Sequence, residues 1–288
     1  MITTGIVLTA PASAAGEASA ASVTMTGAGG SERVSYGERV RLAGQATAGS
    51  VVQLEQAPSG HSWRPVSQIT SGSDGAYRFT VRVRRSGQWR AVTDAGVATT
   101  PRRVTVVALL KGRARRHVLG VESVGVHGRL VPGVADRKVR LEVGTRSGWK
   151  LVDRARTRAG GAYSADFRPS KPGTYRLRVR FAGDRSFAGD ASRLPRVHIY
   201  TPGDASWYGP GLYGNRTACG QTLSSGIKGV AHRYLPCGTK VRFFYRGRTV
   251  TATVIDRGPF SGSRSWDLTP ATKAALRFGN VGTVWAAY

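Results

Sequence analysis

Short runs in which apolar and polar residues alternate, each cut off by Gly, Ser, Asp or Pro, leave this chain few options besides antiparallel β-sheet. Val40 and Leu42 alternate with Arg39 and Arg41, and Val52 and Leu54 with Gln53 and Glu55. Tyr77, Phe79, Val81 and Val83 alternate with Arg78, Thr80 and Arg82, and Trp89 and Ala91 flank Arg90. Ser71-Gly72-Ser73-Asp74-Gly75 is typical of the intervening turns. Strands this short, each with one wet face, predict an antiparallel sandwich. The pattern then repeats. Leu54 recurs as Leu141, Trp63 as Trp149, Gly75 as Gly161, Tyr77 as Tyr163 and Trp89 as Tyr175, each time 86 or 87 residues on. Residues 31–108 and 120–200 are therefore expected to be two copies of one module.

The shared run of a strand, a Trp, then Gly-Ala-Tyr-x-x-x-Phe and Gly-x-aromatic-Arg resembles bacterial immunoglobulin-like repeats, and its aromatics are expected in the sandwich cores. Between the copies, residues 109–119 hold Lys111-Gly112-Arg113-Ala114-Arg115-Arg116, read as a basic, solvated linker that could touch an anionic polymer. Ahead of them, residues 1–30 are rich in Ala, Ser, Thr and Gly and are expected to be unstructured. Ile6-Val7-Leu8 followed by Ala12-Ser13-Ala14 resembles the end of a secretory signal, although no Lys or Arg precedes Arg33. The expectation is a secreted or wall-associated protein with a truncated or atypical signal, no lipid-attachment cysteine and no transmembrane segment.

Charge points the same way. The formal net charge is +27, with +5 in residues 1–110, +14 in residues 111–200 and +8 in residues 201–288. Such an excess draws a protein towards polyanions, either wall polymers or nucleic acid, unless the arginines merely solvate the surface. Nucleic acid is not the expected partner.

After Tyr200-Thr201-Pro202-Gly203 the composition changes: the rest of the chain, residues 201–288, holds both cysteines, Cys219 and Cys237, and three of the six tryptophans. A cysteine pair in a secreted protein suggests one disulfide, and free thiols in a cytosolic one. Val250, Ala252 and Val254 alternate with Thr251, Thr253 and Ile255, a strand that delivers Asp256 to the Arg257-Gly258-Pro259 turn. A carboxylate at the rim of a rigid element suits a general acid or base. Around it lie Asp204-Ala205-Ser206-Trp207-Tyr208-Gly209, Thr217-Ala218-Cys219-Gly220, Ala231-His232-Arg233-Tyr234-Leu235-Pro236-Cys237-Gly238-Thr239 and Trp266-Asp267-Leu268-Thr269. In this order and spacing these motifs resemble the rare lipoprotein A (RlpA) family. That resemblance implies a six-stranded double-psi β-barrel with a polysaccharide groove, related to expansins and to barrel-type lytic transglycosylases. The whole chain is then all-β, two immunoglobulin-like sandwiches followed by the barrel.

Carried over by motif, the resemblance puts catalysis on Asp256 and His232, with Asp267 in the position expansin-like barrels require. Each has a structural alternative. Asp256 could simply accept amide hydrogen bonds in its turn. His232 could orient Asp256, contact sugar, or be a satisfied core histidine. Asp267 precedes Thr269-Pro270-Ala271, which reads as an N-cap and first helical residue of a helix running to about Arg277, so it could instead stabilise that helix. By strand alternation Trp207 is assigned to the core and Tyr208 to the groove. Tyr208, Tyr213 and Trp266 are candidates to stack on sugar, and Arg257, with Arg233 and Arg264, to pair with substrate carboxylates. The family usually has Ser or Asn at position 219 and Phe at 237, and both changing together supports a Cys219–Cys237 disulfide. No metal or organic cofactor is implied.

Ordinary glycoside hydrolysis uses two carboxyl groups. With only Asp204, Asp256 and Asp267 acidic in this segment, a lytic transglycosylase fits better. One carboxyl protonates the glycosidic oxygen and then takes a proton from the C6 hydroxyl of N-acetylmuramic acid as that hydroxyl closes a 1,6-anhydro ring. The reading is therefore a peptidoglycan lytic transglycosylase acting on glycan strands. Its alternative is a non-catalytic, expansin-like wall-loosening module.

Overall fold

The computed structural model describes residues 23–26 and 31–288. The signal-like stretch lies outside the described residues. Within the segment expected to be unstructured, however, Val23–Thr26 is a strand paired antiparallel to Arg39–Ala46, and Met25 is buried. The chain divides after Val106 into two compact units.

In the first unit, Val23–Thr26, Arg39–Ala46 and Ala76–Arg82 form a three-stranded sheet. The facing sheet runs Arg64–Thr70, Val51–Pro58, Gly87–Thr93, Arg102–Val107 and Ser31–Ser35. Every apolar residue of the alternating runs named above, from Val40 to Ala91, is buried. The period-two pattern alone therefore placed this core.

The second unit opens with the second copy. The segment expected to be a linker is instead the strand Leu109–Ala114, paired in register with Val124–Val131, which pairs in turn with Ala162–Phe167. Its one fully inward side chain is Leu110, and Gly112 packs beneath Tyr163, Val179 and Leu194, so only its outward residues are basic. Charge counted along the chain concealed the alternation. Gly148–Arg156, Lys138–Thr145, Leu177–Gly183 and Ala188–Arg193 make the other sheet of this copy.

The two copies agree in detail. The Tyr77 hydroxyl donates to the Thr24 carbonyl, and that of Tyr163 to the Lys111 carbonyl, over Gly44 and Gly128, where a Cβ would collide with the phenol. Arg90 pairs with Glu55 at 2.8 Å and covers Trp63 at 4.4 Å, while Arg178 pairs with Glu142 at 2.6 Å and covers Trp149 at 4.3 Å. Those two tryptophans lie under guanidinium groups at the surface and are not in the cores. With Arg90 equivalent to Arg178, the counterpart of Trp89 is the buried Leu177, two residues beyond Tyr175. The aromatic match at position 175 was accidental.

The barrel follows without a break. Strand β1 (Val197–Trp207) runs straight through the expected boundary. Its first residues pair with His117–Leu119 and Gly173–Tyr175 of the sandwich, and from Thr201 onward it enters the barrel. The remaining elements are β2 (Gly229–Ala231), β3 (Lys240–Tyr245), β4 (Arg248–Asp256), β5 (Trp266–Leu268), α1 (Pro270–Leu276) and β6 (Gly282–Ala287). Hydrogen bonding in the order β1, β5, β2, β4, β3, β6 and back to β1 closes a six-stranded barrel. Ala205, Val230, Val241, Phe243, Val254, Leu268 and Val284 fill it. The chain is thus all-β as expected, with a double-psi β-barrel after the two sandwiches.

Where sandwich meets barrel, the His117 and His198 rings stack at 5.5 Å beside Tyr200 and Phe244. The His117 Nδ1 and Tyr200 hydroxyl are 2.8 Å apart, and the His198 Nδ1 and Thr174 hydroxyl 2.9 Å. Burial, then Arg242, His117, Arg116 and Arg196, pushes His198 down to about 4. Between that value and the unfolded one of ~6.5 the unfolded chain binds more protons, so stability falls as pH falls across this window. Replacing His198 by Gln should flatten the dependence of urea-unfolding stability on pH from 6.5 to 4; an unchanged slope would remove His198 from the account.

Candidate active site

The site is built by a bulge at the end of β4. Val230 of β2 pairs with Val254, but Ala231 pairs with Asp256, so Ile255 is an extra residue on β4. Gly229 makes room for it, since a Cβ there would strike the Ile255 side chain. The bulge brings Asp256 into line with Ala231. On its other side Ala231 pairs with Asp267 of β5, and Asp267 with Ser206 of β1. Asp256, Ala231, Asp267 and Ser206 thus form a row across four neighbouring strands, on one face of the sheet. At ~4.8 Å per strand, the two aspartate backbones stand roughly 10 Å apart, with only an alanine methyl between them.

The two carboxylates are held differently. The Asp256 Oδ1 accepts the amides of Ala218 at 2.8 Å and Arg257 at 2.9 Å. An oxygen facing two N–H donors has no place for a proton, so any proton traffic at Asp256 uses Oδ2. Asp267 is half-buried and accepts one hydrogen bond, from the Ser206 hydroxyl at 2.7 Å. Burial raises its pKa above the ordinary carboxyl value, and the charge of Asp256 adds to this against the opposing pull of Ser206 and Arg264. No acidic side chain lies in the first turn of the helix that follows. Thr269 is the N-cap residue of α1, yet its hydroxyl bonds to the Ile227 carbonyl and the Gly229 amide instead of capping. Helix α1 ends at Leu276, with Arg277 in the left-handed region.

Tyr208 lies two residues beyond Ser206, on the same face. Its hydroxyl is buried without a hydrogen bond of ordinary geometry among the described residues. Burial first, then Asp256 and Asp267, hold the phenol in its protonated form. It stands beside both carboxylates. Trp207 packs on the core side, its indole N–H donating to Asn280 at 3.1 Å.

His232 has one ring nitrogen committed to its own loop. Its Nδ1 accepts the amides of Tyr234 at 3.1 Å and Leu235 at 3.0 Å, which leaves the proton on Nε2. Burial, then Arg257 and Arg233, lower its pKa and keep the ring neutral. The ring leans on Trp266 at 4.5 Å. Trp266 itself is 2% exposed and meets Phe243 edge-on at 5.1 Å, so it belongs to the barrel core and offers no face to a sugar. Arg257 is likewise committed, to the carbonyls of His232 and Asp256 and the Cys237 sulfur. Arg233 braces the opposite loop through the Pro259 and Gly262 carbonyls. Asp204 is turned away, bonded to Thr283. Exposed aromatics of the barrel include Tyr213, 45% exposed, and three not chosen as candidates, Tyr234 at 85%, Phe260 at 80% and Tyr288 at 46%. Ser206, Ala218 and Ala231 were overlooked too, although all stand inside the quoted motifs.

A lytic transglycolase family model matches residues 200–288. The probable endolytic peptidoglycan transglycosylase RlpA of Synechocystis is 42% identical over 82 residues, 28% of this chain and 26% of that protein. The endolytic peptidoglycan transglycosylase RlpA of Campylobacter jejuni is 40% identical over 83 residues, 28% of this chain and 30% of its own. The probable RlpA of Aquifex aeolicus is 42% identical over 84 residues, 28% and 36%. The barrel is RlpA-like. The chain spans about a third or less of the length of these relatives, and the match does not extend to the sandwiches. Among solved structures, the D0-D1 domain of Intimin covers 62% of this chain and 97% of its own at 11% identity, but a TM-score of 0.25 is too distant to carry an argument.

The Cys219–Cys237 disulfide expected on this RlpA-like barrel is present. It ties the loop that carries the Ala218 amide to the one that follows His232. The Cys219 and Gly238 amides also bond to β4, at Ile255 and Val254. The covalent link therefore fixes the donor that holds Asp256. With the cysteines 18 positions apart, replacing both by Ser should lower stability by about 3 kcal/mol in urea unfolding. Reduced wild type should match the variant; a variant as stable as the oxidised protein would contradict this.

Proposed function

We propose that the barrel is a peptidoglycan lytic transglycosylase. It cleaves the β-1,4 bond between N-acetylmuramic acid and N-acetylglucosamine, leaves a 1,6-anhydromuramyl end, and works at the cell wall after secretion. The observation that carries this reading is the asymmetric row of carboxylates, with Asp267 poised to hold a proton and Asp256 clamped by amides.

In this reading the glycosidic oxygen lies over Ala231. Asp267, whose burial keeps a protonated fraction available, donates to that oxygen as the bond breaks. The Asp256 carboxylate faces the positive charge that develops on the muramyl ring. The Asp267 carboxylate then takes the proton of the C6 hydroxyl as that oxygen attacks the anomeric carbon, which returns the acid to its starting state. Tyr208 and the His232 Nε2 supply neutral donors. The sequence ranked Asp256 first as the acid; the amide clamp on Asp256 and the burial of Asp267 support the opposite assignment in this reading. One observation favours the expansin-like alternative: Tyr213, Tyr234 and Phe260 are exposed aromatics on the loops around the row, as a pure binding surface would have.

Purified glycan strands incubated with the protein should gain 1,6-anhydromuramyl ends, read by mass spectrometry. Asp267→Asn should cut their formation ~10²-fold or more, the usual contribution of a general acid. New reducing ends would indicate a hydrolase instead, and binding without any new ends would indicate the expansin-like module.

A further inference from the structure

The outer face of the three-stranded sheet in the second sandwich carries a cluster of cations that the barrel chemistry does not use. Lys111 and Arg113 point outward from Leu109–Ala114, and in register beside them stand Arg129 and His127 of Val124–Val131. Arg158 reaches the same face, and Ser164 lies across the next strand, its hydroxyl 3.1 Å from the His127 Nδ1. These side chains line two adjoining hollows of about 480 and 490 Å³ that share Arg113 and His127. Among the described residues, none of the four ion pairs involves Lys111, Arg113, Arg129 or Arg158. Glu122 lines one end of the face, Asp166 accepts a bond from Ser123, and Asp190 is occupied by the Leu110 amide.

The first sandwich supplies an internal control. Matching Gly44 to Gly128 and Thr24 to Lys111 through the two tyrosine bonds puts Thr24, Thr26, Ala43 and Gln45 where the second copy has Lys111, Arg113, His127 and Arg129. Arg78 takes the place of Ser164. The first sheet has its own outward arginines, Arg39, Arg41, Arg78 and Arg82, but at other positions of the face, so the fold does not require cations at these four. Placing unpaired cations side by side opposes folding by mutual repulsion, which a bound anion would relieve.

We infer that this face binds a polymer of phosphodiesters. Lys111 and Arg113 are two residues apart on one strand, ~6.8 Å, and repeat across the sheet at ~5 Å. This grid suits successive charges along a flexible chain, and guanidinium forks match phosphate oxygens. A polymer without bases fits better than a nucleic acid. Single-stranded nucleic acid is gripped by stacking on exposed aromatic rings, and the one benzene-type ring here, Tyr163, is 4% exposed beneath the sheet. A polyol-phosphate chain of the wall type has the required chemistry, and its capture would be separate from any cleavage by the barrel.

The test measures binding of poly(glycerol phosphate) to the full chain at 0.15 M salt, with poly-glutamate and oligo(dT) as rival probes. Lys111→Gln/Arg113→Gln should weaken poly(glycerol phosphate) binding by roughly tenfold or more, since each cation near an anionic surface contributes about fivefold. Arg39→Gln/Arg41→Gln, which removes the same charge from the first sandwich, should leave it unchanged. Both substituted pairs lie at exposed positions, and Arg158→Gln provides a third variant outside the strands. Equal loss from both double variants would reduce the effect to net charge and overturn the site. So would no retention of poly(glycerol phosphate) by wild type, or tighter binding of poly-glutamate or oligo(dT) than of the phosphate polymer.

Discussion

The pairing of β1 with both β5 and β6 is the contact on which the C-terminal half depends. It closes the barrel, and a closed barrel has no free edge to manage. The same strand is held upstream by two sandwich segments, so sandwich and barrel share one continuous backbone. Its register with β5 also sets Ser206 opposite Asp267. A slip of one residue would turn Ser206 away and break the hydrogen bond that Asp267 accepts from it.

Two aspartates on one face do not make equivalent groups. The bulge at Ile255 and the disulfide-held loop give Asp256 two amide donors on one oxygen, and strand closure gives Asp267 burial and a single hydroxyl. In the proposed reaction, environment would divide the work between chemically identical side chains. The neutral His232, its Nδ1 occupied by two amides, shapes the loop and presents a single N–H.

Much of this was legible in the residues because it is periodic or covalent. The alternation at Val40–Leu42, Tyr77–Val83 and Val250–Val254 located the cores, and the two cysteines announced their own pairing. What was not legible depends on register. Composition made Lys111 to Arg116 look like a solvated hinge, since a strand whose inward positions are Leu110 and Gly112 leaves little apolar signal. Trp266 looked like a sugar platform until its strand neighbours put it beside Phe243 in the core. The different settings of Asp256 and Asp267 were hidden for a related reason. Both stand beside turn or cap signals, and only the ladder through Ala231 shows which is buried and which is clamped.

The central claim is that Asp267 is the proton-holding carboxyl and that Ser206 restrains it. Carbon-detected NMR titration of the aspartate side chains measures this directly. Asp267 should titrate above the ordinary aspartate value, and higher still in Ser206→Ala, because the hydroxyl stabilises the ionised form. An Asp267 that titrates at or below the ordinary value, or that does not respond to loss of Ser206, would contradict the account.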